Sequence, residues 1–432
     1  MRFALVALCL CSNLCADDWP QWLGPKRDGV WREKNLLSRF PKEGLKPLWR
    51  TPIGQGYAGP AVVGDRVFVM DRQNLPNAKG KEVIERLLCL SATTGKIIWK
   101  KEWTADYRRV FYGTGPRTTP VIADGMVHVL GAKGDLYCFA TKDGKEIWHR
   151  SLAKDYQAKP PVWGWSASPI LEGELLYCLV GGKGSGIVAF DRKTGKEKWK
   201  ALTSEEIGYA PPIFATVEGK KQLIVWLSDL IAGLDPLTGK KHWSHPYPED
   251  GKPTRPAVSI GTPRFKGGML FVSAFYQGSM MLKIEKNKPS IVWQSRSKNP
   301  QKPDTVNVVM GTPMFKDGVI YAVGGFGHLR CLDSKTGKQK WTTFQATGGK
   351  KAFLATAFLI EHEDRVFIFN DQGDLILAKL TPKGYEQLDR AHLIDTSQTA
   401  RGRQVVWCHP AFARGCVFVR NDKEILCVPL KK

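Results

Sequence analysis

Three arginines (Arg117, Arg255, Arg403) and four aromatic residues (Tyr57, Trp165, Tyr209, Trp407), with Asn307 and His409, are the side chains best suited to recognising a ligand. A guanidinium forks onto carboxylates and stacks on rings, while indole and phenol rings offer a flat apolar face with one polar edge. Such a set would grip a planar anionic ligand or an acidic protein loop. Motifs for bond-making chemistry are missing: there is no Gly-x-Ser-x-Gly, no Gly-x-x-x-x-Gly-Lys-Ser/Thr and no His-Glu-x-x-His. His242 and His245 have a spacing that could hold a metal, but they sit in a hairpin expected on an outer rim. The run Gly181 to Gly186 looks like a phosphate cradle, yet it joins two apolar stretches with no helix following and is predicted to be a hairpin loop. No catalytic residue and no metal ligand is assigned.

The elements that must position these residues repeat. Asp333-Ser334-Lys335-Thr336-Gly337-Lys338 runs on to Trp341, and close copies end at Trp99, Trp148, Trp199 and Trp243. Asp333 seeds a turn with its carboxylate, Gly337 takes a positive φ, and the tryptophan closes the returning strand as an apolar anchor. Trp49 and Trp293 are further anchors with weaker flanks, and Leu388 stands in once. Anchors separated by 44 to 51 residues, with several short strands per unit, mark a β-propeller. Upstream of each hairpin a small residue precedes proline and an apolar strand, as at Gly59-Pro60, Thr119-Pro120, Ser168-Pro169 and His409-Pro410. Small residues suit innermost strands that converge on an axis, and an inner edge tolerates proline.

Eight such units are predicted, giving an all-β, eight-bladed propeller of four-stranded antiparallel blades. The eighth has three strands around residues 411–428, and Pro47-Leu48-Trp49-Arg50 is predicted to supply its fourth and close the ring. The nine candidate residues above lead into inner strands, so all are placed at one mouth of the central channel. The seven tryptophans Trp49, Trp99, Trp148, Trp199, Trp243, Trp293 and Trp341 are placed between blades.

Residues 1–16 read as a signal peptide, with Arg2 basic, an apolar run from Phe3 to Cys11 and a cleavage site at Ala16. Residues 17–44 read as an extended lead-in on the propeller rim, and 45–432 as the propeller. Nothing after the signal approaches a membrane span, so the chain is expected to be exported, periplasmic or in the cell envelope, and monomeric. Sixty-four basic against 41 acidic residues give a net charge of +23, with lysines in the hairpins at Lys96, Lys145, Lys196, Lys240 and Lys338. These either keep strand edges apart or draw the protein to an anionic surface. Nucleic acid is not expected as a partner. Cys89, Cys138, Cys331 and Cys427 share one repeat position and are expected to remain unpaired, whereas Cys408 and Cys416 could bond across neighbouring strands.

With its Trp19-Pro20-Gln21-Trp22-Leu23-Gly24 opening, the repeated hairpin resembles that of the pyrroloquinoline-quinone-like repeat proteins, many of them exported and bacterial. The resemblance implies eight blades over residues 18–432. It also implies one of two roles. Non-catalytic members, such as the propeller subunit of the outer-membrane β-barrel assembly machinery, hold partner proteins. Quinoprotein dehydrogenases bind the quinone with calcium over the channel and oxidise alcohols or sugars, using an adjacent Cys-Cys pair, a Glu/Asn pair and an Asp base. No Cys-Cys occurs here, and the carboxylates find no matching positions. The expected function is therefore a binding or scaffold propeller without a cofactor, engaging a protein or an anionic envelope polymer. A quinone- and calcium-dependent dehydrogenase is the alternative, and an anionic-polysaccharide binder or lyase the next.

Overall fold

In the computed structural model, which describes residues 17–75, 82–112, 115–297 and 299–432, eight four-stranded antiparallel sheets form the eight blades of a propeller. The proposed signal peptide lies outside the described residues. Blade 1 runs outward from Ala61–Val63 through Arg66–Asn74 and Glu82–Ser91 to Ile97–Asp106. The inner strands of blades 2 to 7 are Val121–Ala123, Ile170–Glu172, Ile213–Val217, Arg264–Lys266, Met314–Lys316 and Ala357–His362. Blade 8 comprises Ala411–Ala413, Cys416–Arg420, Glu424–Pro429 and, outermost, Trp49–Pro52. Trp49 pairs with Cys427 and Pro52 with Glu424, so the early strand closes the ring as predicted.

The hairpin chemistry explains how one blade holds the next. In blade 3 the Asp191 carboxylate accepts backbone N–H bonds from Lys193 and Thr194, and Gly195 N–H returns to the Asp191 carbonyl at 2.8 Å. Gly195 has φ +67°, and a Cβ there would fall 2.7 Å from the Trp148 ring of blade 2. The same indole donates its Nε1–H to the Arg192 carbonyl at 2.9 Å. Trp49, Trp99, Trp199, Trp293 and Trp341 repeat the bond to the carbonyls of Ala92, Thr141, Pro236, Ser334 and Thr381 in the next blade. Each acceptor lies three residues before the hairpin glycine. The anchors are therefore wedges between blades, as expected.

Two departures follow the same logic. Blade 5 has Lys286-Asn287 where the glycine would be, so Trp243 bonds Gln222 of its own blade at 2.8 Å, and Gln222 reaches Asn287 at 2.7 Å. Blade 7 carries Leu388 in place of tryptophan because blade 8 has no such hairpin to receive an indole; its outer strand comes from the other end of the chain. The repeated cysteines share one place: Cys89, Cys138, Cys331 and Cys427 pair across the strand from Trp99, Trp148, Trp341 and Trp49, a position held by Ala189, Gly233 and Met281 opposite Trp199, Trp243 and Trp293. All seven described cysteines are free, and the Cys408–Cys416 bond that the sequence left open does not form. The Cys408 thiol points to the Gly56 carbonyl, while that of Cys416 meets Cys427.

The lead-in does not run along the rim. Trp19 exchanges backbone bonds with Val62 of blade 1, and the Pro20 carbonyl accepts from Ile122 of blade 2. Arg27 donates to Leu171 of blade 3, Arg264 of blade 5 donates to Asp28, and Gly29 and Trp31 bond Glu361 of blade 7. A segment tied to innermost strands of five blades lies across the axis, on the face that carries the Thr-Gly hairpins. Trp19, Leu23 and Trp31 are each 1% exposed, so the crossing is driven by apolar burial.

At the seam, fully buried Arg420 of blade 8 donates to the carbonyls of Gly54, Met70 and Asn421 at 2.6–3.0 Å. It thus fastens the closing strand and blade 1 to blade 8.

Gly195→Ala is expected to lower the unfolding free energy by about 2–4 kcal/mol, since it meets both strain and an indole. Gly384→Ala, with no positive φ and open space around it, should stay within about 1 kcal/mol; urea denaturation compares the two. Arg420→Met should cost about 3 kcal/mol by stranding three buried carbonyls, read as a lower urea midpoint in the same assay.

Candidate functional site

Inner strands that converge leave a space on the axis, and the connections leading into them wall it. On the face opposite the lead-in this space is a cup of about 390 Å³. Tyr57 precedes blade 1, Tyr112 and Arg117 blade 2, Trp163 blade 3, Tyr209 blade 4, Val258 blade 5, Val309 blade 6, Phe353 blade 7, and Trp407 and His409 blade 8. Trp22 of the lead-in enters from the far end. Its Nε1–H bonds Thr262 Oγ1 at 2.9 Å and its ring lies 4.5 Å from His409, so it floors the cup.

Of the nine residues predicted at the mouth, five line the cup: Tyr57, Arg117, Tyr209, Trp407 and His409. Trp165 does not. It is buried under Gly134, with its indole N–H on the Val180 carbonyl at 3.1 Å, and Trp163, on the other side of the Gly164 turn, takes the lining position. Asn307 is fully buried, and its amide holds the Phe275 carbonyl at 2.7 Å. Arg255 is exposed and pairs with Glu205. Arg403 turns inward to the buried Asp371 at 2.7 Å, while Arg401, at the turn of the same Gln398–Ala400/Arg403–Val405 hairpin, faces the cup.

Sequence reasoning also missed Trp22, because the crossing of the lead-in is a tertiary event. It missed Phe275 and Tyr276 as well, which come from a loop between the second and third strands of blade 5 rather than from an approach to an inner strand. Gly181 to Gly186 is the equivalent loop of blade 3, as expected. His242 and His245 lie on the outer strand Lys241–Pro246, and no cluster of His, Cys, Asp or Glu among the described residues could hold a metal.

The polar groups of the cup are mostly committed to shaping it. The Arg117 guanidinium lies 5.0 Å over the Tyr57 ring and donates to the carbonyls of Gly115, Phe111 and Tyr112, which fixes the loop at the rim. Burial lowers its pKa from the ordinary value. Burial, with Glu206 beside it, raises the Tyr209 phenol, which donates to that carboxylate at 3.2 Å. His409 packs between Trp22 and Phe358, with ring centres 4.5 and 4.9 Å away, and burial pushes its imidazole down to about 4. The buried Nε1–H of Trp407 has no acceptor. Among the described residues no Asp, Glu, Asn or Gln lines the cup.

With this geometry in view, the sequence matches the family profile described as outer membrane protein assembly factor BamB over residues 83–307 and 290–432. The BamB of Burkholderia pseudomallei is 27% identical over 55% of this chain and 58% of its own length. The chain thus spans little more than half of that relative. The quinohemoprotein alcohol dehydrogenase of Comamonas testosteroni is 21% identical over 57% of the chain and 35% of its own length. Among solved structures, BamB from Moraxella catarrhalis superposes with a TM-score of 0.59 at 13% identity, covering 89% of this chain and 99% of that one; this is a likeness of fold.

The quinone and calcium of the dehydrogenase relatives can be tested against the cup. Calcium takes six to eight oxygen ligands, usually with carboxylates among them. The side-chain oxygens available here are hydroxyls of tyrosine and serine, with no carboxylate or amide oxygen. The residues present do not fit the pair.

An unfolded imidazole ionises near 6.5. With its folded value near 4, His409 adds stability that is whole above pH 6.5 and is lost as pH falls towards 4, on the order of 3 kcal/mol. His409→Phe is expected to flatten the decline in unfolding free energy between pH 7 and pH 4 by that order, measured by urea titration at each pH.

Proposed function

The chain belongs to the family of the outer membrane protein assembly factor BamB, and from that footing we propose that it is an exported, non-catalytic propeller that holds a partner protein at its cup face. The observation carrying this reading is the composition of the cup. It offers indole and phenol faces and a guanidinium, and among the described residues no carboxylate to serve as a base or to bind calcium. Such a surface recognises and does not transform. A protein is favoured over an extended anionic polymer because the cup is floored by Trp22 and admits a tip rather than a passing strand. The assembly role carried in the relatives' name supports a partner in the cell envelope. No helix among the described residues is long and apolar enough to cross a membrane, and the basic, apolar opening of residues 1–16 supports export.

The dehydrogenase reading keeps one observation in its favour, an aromatic cup on the propeller axis in a chain similar to a quinohemoprotein alcohol dehydrogenase. Purified protein incubated with pyrroloquinoline quinone and calcium chloride, then offered alcohols and sugars with a reducible dye, is expected to reduce no more dye than the quinone alone. Turnover above that background, abolished by Trp407→Ala, would reverse the assignment.

A further inference from the structure

We propose that the cup takes the tip of one acidic loop of a polypeptide, an aromatic side chain flanked by carboxylates; this rests on the partner-binding reading above and names what it binds. Size comes first. A space of about 390 Å³ is at the small end of ligand pockets and admits a few side chains, not a folded surface. Its depth is apolar, with Trp22 and Phe358 packed on the buried, low-pKa ring of His409 at the floor, so what enters deepest is a ring or an aliphatic group.

Charge decides the flanks. Two cations of the lining lie over aromatic rings, Arg117 over Tyr57 at 5.0 Å and Arg401 over Phe353 at 5.3 Å, and Lys351, on the connection into blade 7, lies over Phe326 at 4.9 Å. Stacking holds each cation in place without neutralising it. Arg401 and Lys351 form no ion pair among the described residues, unlike Arg255 and Arg403, which are met by Glu205 and Asp371. With no acidic residue in the lining and a chain charge of +23, the mouth is complementary to carboxylates.

A small planar anion would satisfy the cup but not its surroundings. Phe111 is 64% exposed, Tyr276 40% and Tyr112 37%, and all three lie on the connections that form the mouth. Tyr112 and Tyr276 stand at the rim of the lining and Phe111 lies outside it, so the apolar contact extends beyond the cavity, as a loop with flanking residues requires.

Fluorescence anisotropy with labelled pentapeptides tests this on the whole protein. Asp-Asp-Trp-Asp-Asp is expected to bind in a salt-sensitive manner. Lys-Lys-Trp-Lys-Lys should not bind, and Asp-Asp-Gly-Asp-Asp should be weaker by about tenfold. The surface double variant Lys351→Ala/Arg401→Ala should weaken the first peptide by about tenfold and flatten its salt dependence. Trp407→Ala, which removes a ring from the lining, should weaken it by about tenfold. Equal binding of acidic and basic peptides, or an unchanged double variant, overturns the acidic occupant. So does quinone that expels the peptide and loses its own binding in the double variant. Loss of charge selectivity without dye reduction removes only the acidic loop, whereas catalytic dye reduction removes the binding reading beneath it.

Discussion

The structure depends on one contact repeated around a circle: an indole of one blade lying on the hairpin glycine of the next. It couples backbone and side chain in a single step. The turn requires positive φ, glycine supplies it, and the missing Cβ leaves the only space into which the ring fits. The indole N–H then satisfies a turn carbonyl that would otherwise face a neighbouring sheet. Apolar area, steric fit and hydrogen bonding favour the same docking, so blades of different sequence stack at one angle. Where the glycine is absent, at Lys286-Asn287, a side-chain relay through Gln222 replaces the direct bond and the spacing survives.

A ring built from such contacts has one weak place, where the first and last blades meet. Two devices act there. The strand Trp49–Pro52 completes blade 8 and carries the Trp49 wedge that docks on blade 1, so closure uses the same interaction as the junctions made by Trp99, Trp148, Trp199 and Trp293. Arg420 adds a buried cation satisfied by carbonyls of the connection after that strand, blade 1 and blade 8. The lead-in then spans the hub on the hairpin face, which turns the central space from a channel into a cup. Scaffold and site are therefore linked: the segment that covers the axis also contributes Trp22 to the floor.

The cup illustrates how a propeller makes a site without dedicating a domain to it. Connections from all eight blades converge, so each contributes one to three side chains, and function follows from their sum. Here that sum is aromatic and cationic, with its buried polar groups mostly spent on holding rim loops in place. Arg117 binds three carbonyls of its own loop, and Glu206 ties Tyr209 to the backbone of Ala257. Rigid walls around an apolar floor suit recognition, because little ordering remains to be done on binding.

The sequence by itself determined the architecture. The Trp49-to-Trp341 series, the Thr-Gly hairpins and the proline-led inner strands are local signals repeated at a constant spacing, and a repeat that cannot bury its own faces must stack on its neighbours. Closure by Trp49–Pro52 was legible for the same reason, since the eighth unit lacked a strand and an unmatched anchor stood near the start. The site was legible only by location: residues approaching inner strands were placed at the mouth, and Tyr57, Arg117, Tyr209, Trp407 and His409 are there. Which neighbour faces the axis was decided by packing. Trp165 turns under Gly134 while Trp163 turns inward, and Arg403 finds Asp371 while Arg401 is left at the turn, because loop conformation and a distant carboxylate, not the order of residues, set those directions. The path of residues 17–31 across the hub was likewise a tertiary decision, made by burying Trp19, Leu23 and Trp31 while the segment bonds to five separate blades.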